Sequence, residues 1–100
     1  MIEHIVMWKL HEQAEGRSAV ENFEMVREGL TSLVGKIPVI RRLEGKHNVN
    51  PDTKNMDMIL VSSFDSLEDL AYYAGHPEHL RVGSLVGKVA TQRTAIDYQI

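Results

Sequence analysis

No cysteine occurs in the 100 residues, which excludes disulfides, thiolate nucleophiles and cysteine-held metal sites. Positive charge is not in excess. Eleven Lys and Arg stand against fourteen Asp and Glu, a net charge of −3, and no basic cluster forms the patch that a nucleic-acid surface needs. No apolar run is long enough to cross a bilayer. The N-terminus Met1-Ile2-Glu3-His4 runs straight into a strand pattern without a basic and apolar leader, so a cytoplasmic location is the expectation. Aromatics are few, with one Trp, two Phe and three Tyr, and Trp8, Phe23 and Phe64 read as core rather than as a ligand box. What remains is ordinary for a globular chain, 43% hydrophobic and 25% charged, and of a length that predicts one domain over residues 1–100.

Periodicity supplies the elements. Ile2 to Leu10 reads as a strand with His4, Val6, Trp8 and Leu10 on one face and Glu3, Ile5, Met7 and Lys9 on the other. Its centre is apolar on both faces, which suits a central strand covered on both sides. After a polar connection from His11 to Arg17, Ser18 and Glu21 form a capping-box pattern. Phe23, Val26, Leu30, Leu33 and Val34 then give one apolar helical stripe, with Gly35 as the expected C-cap and Pro38 ending the segment. Val39 to Val49 reads as a charged edge strand. The turn-rich Asn50–Asn55 joins it to Met56–Phe64 in an antiparallel hairpin.

Ser66 with Asp69 begins a short helix carrying Leu67, Leu70, Ala71 and Ala74. Glu78 to Val89 follows as a second helical piece carrying Leu80, Leu85, Val86 and Val89, in which Gly83 and Gly87 predict irregularity or a break. Thr91 to Ile100 alternates as the last strand. The order β-α-β-β-α-β predicts a ferredoxin-like α+β fold, with helices on one face of a four-stranded antiparallel sheet. Ile5, Met7 and the third strand would leave the other face apolar. The expected partner is therefore a second copy, the two sheets facing each other as a dimeric α/β barrel.

Chemistry-bearing groups concentrate at Tyr72-Tyr73-Ala74-Gly75-His76-Pro77-Glu78-His79, the corner between the two helical pieces. Gly75 suits a left-handed helix end and Pro77 the first turn of the next helix. His79 falls in that first turn, with Tyr73 facing it across the corner. Imidazole titrates near neutrality and can act as a general base. A nearby phenol can hydrogen-bond an oxygen on which charge develops. His79 can equally cap backbone groups or pack on Tyr73. His4 and Asp97 are expected as partners on neighbouring strands, and His76 as an exposed corner residue. His76-Pro77-Glu78-His79 is not the HExxH pattern of a zinc helix, so no metal site and no cofactor is expected.

His4-Ile5-Val6-Met7-Trp8-Lys9, Lys36-Ile37-Pro38, a third strand ending at Phe64, His76-Pro77-Glu78-His79 and Asp97-Tyr98 follow one another along the whole chain. In that order and spacing they resemble the stress-responsive dimeric α/β-barrel (Dabb) family. The resemblance implies a ferredoxin-like fold and a sheet-to-sheet homodimer. In the plant polyketide cyclase branch, which forms olivetolic acid, residues matching Tyr73 and His79 are the catalytic pair. By that resemblance His79 takes a proton from carbon next to a carbonyl, starting an aldol closure. Residues matching His4 and Asp97 lie at the same pocket. The chain departs from that branch at Met58, in place of a pocket histidine, and at Val26, Arg27 and Leu30, in place of aromatics.

The expected pocket is therefore built on His79 and Tyr73, supported by His4, Asp97, Met58, Leu60, Val26, Leu30 and Leu85. Its expected ligand is small and hydrophobic or carbonyl-containing. Three functions stay open: a cyclase-, isomerase- or lyase-like enzyme, a non-catalytic stress-protection or ligand-binding protein, and a cofactor-free monooxygenase.

Overall fold

Strand β1 (Ile2–Leu10) lies between two antiparallel neighbours, which is why its residues are apolar on both faces. The computed structural model describes residues 1–100. The polar connection after β1 folds into a miniature hairpin, β2 (Gln13–Ala14) and β3 (Arg17–Ser18). Its turn residues Glu15 and Gly16 both have positive φ, 53° and 75°, as a two-residue primed turn requires. Glu in place of the usual Asn or Asp hides that signature in the sequence. The buried Asn22 ties the hairpin to the next helix, donating to the Ala14 carbonyl at 3.0 Å and accepting from Arg17 Nε at 2.9 Å.

Helix α1 (Ala19–Thr31) starts at the expected capping box, with both reciprocal Ser18–Glu21 bonds present. It ends earlier than Gly35. A 3₁₀ turn over Ser32–Gly35 tightens the chain, so Leu33 stays buried while Val34 rotates out to solvent. Strand β4 is shorter than expected, Arg42–His47, because Ile37 and Ile40 enter the core from the irregular segment before it. β4 is an edge strand paired with β5 (Met58–Phe64). The connecting loop is stapled by successive bonds in which the side-chain oxygens of Asn48, Asn50 and Asp52 each accept from the backbone amide two residues on.

Helix α2 (Leu67–Gly75) is capped by Ser66, and α3 (Pro77–Val89) begins directly after His76. The buried stripes are Leu70 and Tyr73, then Val82, Val86 and Val89; Leu67 and Leu80, expected in the core, are exposed. Apolar spacing in these short helices fixed the period but not the phase. α3 is continuous through Gly83 and Gly87. The corner needs no left-handed Gly75: His76 is extended at φ −66°, ψ 136°, the conformation proline imposes on the residue before it.

β6 (Ala90–Gln99) completes the sheet in the order β4-β5-β1-β6. The chain is thus a ferredoxin-like α+β fold with helices on one face of a four-stranded antiparallel sheet. On the other face Ile5 pairs in register with Val61 and Ile96, and Met7 with Ile59. Ile96 is 60% exposed. At one end of this face the buried Glu3 carboxylate accepts from Arg42 at 3.1 Å and from the Ser63 hydroxyl at 3.0 Å.

Candidate active site

The two histidines of the α2–α3 corner serve the backbone in opposite senses. His76 is the N-cap of α3, its Nδ1 accepting from the Glu78 amide at 3.1 Å, with Tyr72 against its ring. It is a half-buried capping residue rather than a solvated one. His79, one turn into α3, donates from Nδ1 to the Ala74 carbonyl at 3.0 Å, one of the carbonyls left open at the end of α2. Because a carbonyl only accepts, this bond places the ring proton on Nδ1. In the neutral ring Nε2 then carries the free lone pair. No protein group bonds it.

Tyr73 is 1% exposed and packs its ring 4.5 Å from that of His79, 4.9 Å from Phe64 and 6.4 Å from His4, centroid to centroid. Its hydroxyl is the one buried side-chain polar atom without a hydrogen-bond partner. Burial pushes its pKa up to about 12, so the phenol remains a neutral donor. His4 and Asp97 are register partners on β1 and β6, and His4 Nδ1 is hydrogen-bonded to the Asp97 carboxylate. That bond orients the second imidazole in the site. Burial lowers the His79 pKa; the Ala74 bond opposes this, while charges on His4 and Arg93 act with burial. The ring is thereby kept neutral near pH 7, with its Nε2 lone pair free to accept a proton.

These groups stand at one end of a cavity of about 310 Å³ between the sheet and α3. His4, Val6 and Trp8 of β1 and Leu60 of β5 form its floor, and Leu30 of α1 closes one side. His79, Gly83, Val86 and Gly87 form the α3 wall, and Ala90, Thr91, Gln92 and Arg93 line the start of β6. Of the expected pocket residues, His4, His79, Leu30 and Leu60 line the cavity, and Asp97 holds His4. Tyr73 lies behind the imidazoles.

Three expected residues fall elsewhere. Val26 is sealed in the core, and Leu85 is half-buried off the cavity wall. Met58 pairs with Trp8, at the far end of β1 from His4, and borders a separate hollow with His47 and Asn55. Trp8, Arg93 and the two glycines were missed as pocket residues. The one available signal was the four-residue step from His79 to Gly83 to Gly87, which puts all three on one face of a helix.

Fold and site together define a ferredoxin-like α+β protein with a histidine-lined apolar cavity between sheet and helices. The chain belongs to the stress responsive A/B barrel domain (Dabb) family, whose family model matches residues 2–100. It is similar to a dimeric protein of unknown function with a ferredoxin-like fold from Bacteroides fragilis. The two are 32% identical with a TM-score of 0.85, over 99% of this chain and 95% of that one. A dimeric ferredoxin-like protein of unknown function from Thermobifida fusca is 19% identical, with a TM-score of 0.83 over 99% and 90% of the chains. The hydroxynitrile lyase from Passiflora edulis is 14% identical, with a TM-score of 0.80 over 99% and 92%, and shares the fold. No match is found among curated protein sequences.

Proposed function

We propose that this protein is a homodimeric acid–base enzyme of the aldol-cyclase or lyase type, acting on a small carbonyl-containing substrate without a cofactor. The observation that carries the reading is the pairing of a buried, unpartnered Tyr73 hydroxyl with a His79 ring whose Nδ1 is committed to Ala74. A purely structural corner would have no reason to leave a buried hydroxyl unsatisfied, since that costs about 1–3 kcal/mol. In the proposed step Nε2 of His79 takes the proton from carbon next to the substrate carbonyl. The electron pair moves onto the carbonyl oxygen, and the Tyr73 hydroxyl, which lies behind the imidazoles and off the cavity surface, turns into the cavity to donate to the forming enolate. After carbon–carbon bond formation, His79 returns the proton to the new alkoxide and ends neutral. His4, fixed by Asp97, presents its own Nε2 beside the same reacting group.

The apolar floor and wall suit a hydrophobic substrate body. The hydroxynitrile lyase shows that the shared fold accommodates lyase chemistry in another protein, and the dimeric neighbours support pairing of the open sheet faces. The test is a thermal-shift screen of small ketones and oxo acids on wild type and His79→Gln, followed by turnover assays on the binders. The expected result is binding by both proteins and turnover by the wild type alone. Binders that neither protein converts would instead establish a non-catalytic ligand-binding protein.

A further inference from the structure

The cavity has a second end, away from the histidines. Along β1 the four residue steps from His4 to Trp8 span about 13 Å, and along α3 the eight steps from His79 to Gly87 span about 12 Å. The floor and the wall thus run side by side as one slot. Its far end is marked by Arg93, the register partner of Trp8. The chain has six arginines. Arg17, Arg27, Arg41, Arg42 and Arg81 each hold a side-chain partner, Asn22, Glu24, Asp65, Glu3 with Glu44, and Glu78 respectively. Arg93 alone makes no side-chain hydrogen bond or ion pair, although it lines the cavity. Its neighbours Thr91 and Gln92 add polar groups at the same rim, while the interior between the two ends is apolar.

The wall facing this interior is thinned at two places. A β-carbon built at Gly83 or at Gly87 meets no atom within 4 Å. Neither glycine is therefore required for close packing, and neither has the positive φ that would demand one. Two glycines in a helix interior weaken it, with no structural return here except the open volume they leave in the slot.

We propose that the slot takes an elongated apolar carboxylic acid, its carboxylate anchored by Arg93 and its chain lying along Gly83 and Gly87 toward His79 and Tyr73. This rests on the reading of His79 and Tyr73 as the reacting end, and it assigns the substrate class: an acid whose carbonyl lies several carbons from the carboxylate. A guanidinium offers a planar, two-pronged match to a carboxylate. The charge of Arg93 also acts at the histidine end, where it adds to burial in lowering the His79 pKa.

The experiment is isothermal titration at pH 7.5 of octanoate and of octanamide, a neutral molecule of nearly the same shape, into the full chain. Wild type should bind octanoate about ten-fold more tightly than octanamide. Arg93→Gln should bring octanoate down to the octanamide level and leave octanamide unchanged. Gly83→Ala and Gly87→Ala should each weaken both ligands several-fold while raising the melting temperature, so that loss of binding cannot be misread as loss of folding.

Equal affinity of wild type for acid and amide, or no octanoate binding at millimolar concentration, overturns the proposal. So does a preference for the acid that survives Arg93→Gln but is lost in His79→Gln, since that would put the anion at the histidine end. Because these titrations involve no turnover, their failure leaves the acid–base reading standing. An inactive His79–Tyr73 pair would likewise leave the Arg93 preference intact.

Discussion

A tyrosine hydroxyl sealed inside a protein without a partner is a standing cost, and Tyr73 carries it beside a histidine whose other face is already spoken for. Replacing Tyr73 by Phe removes the unsatisfied group and keeps the ring packing on Phe64 and His79. Urea melts should therefore show Tyr73→Phe more stable by about 1 kcal/mol, with turnover reduced; a destabilised variant would mean that the hydroxyl has a partner in solution. His79 supplies a pH signature. Its folded pKa lies below the ordinary value of 6.5 because burial disfavours the cation. Between 6.5 and that lowered value the unfolded chain binds more protons than the folded one. This contribution to stability is thus fully present above pH 6.5 and is lost as pH falls through the folded value. Denaturation midpoints of His79→Gln should fall less steeply than those of wild type as pH drops below 6.5. The acid limb of kcat/KM should lie below 6.5 as well.

At the scale of the element, the caps hold the scaffold that aims these side chains. Ser18 and Glu21 exchange bonds of 3.2 and 3.0 Å at the start of α1, and Ser18→Ala should cost about 1 kcal/mol in thermal or chemical denaturation without shifting ligand affinity. The elements most legible in the sequence were those marked by strong local chemistry. These were the doubly apolar β1 and β5, the capping box at Ser18, the Ser66 cap and the Pro77 corner. The clustering of Tyr73, His79, His4 and Asp97 at one end of the cavity was legible for the same reason, since these are uncommon groups at telling positions. The cavity walls were not. The phase of a short amphipathic helix is set by what packs on it, so spacing ranks Leu67 with Leu70, and Leu80 with Val86, as carriers of the apolar stripe. A glycine in a helix reads as weakness until a cavity is seen in front of it, and Gly83 and Gly87 became informative only then. Nothing in the sequence singles out Arg93, because pairing, or the lack of it, is a property of three dimensions.

For the whole molecule, the open face of the sheet asks for a partner. Ile5, Met7, Ile59, Val61 and Ile96 form a continuous apolar surface that the chain's own helices do not cover, and each Å² hidden is worth about 25 cal/mol. Light scattering at low micromolar concentration should give twice the chain mass for wild type, and Ile96→Glu should shift the protein toward monomer. A wild-type monomer would remove the homodimer from the account. The central claim is narrower: that Nε2 of His79 removes a proton next to a carbonyl. The most direct measurement follows deuterium entering octan-2-one from D₂O by proton NMR, which reads that step without knowledge of the natural substrate. The account predicts exchange at the carbons beside the carbonyl faster with wild type than in buffer, and back at the buffer rate with His79→Gln. Exchange by wild type no faster than by His79→Gln would contradict it.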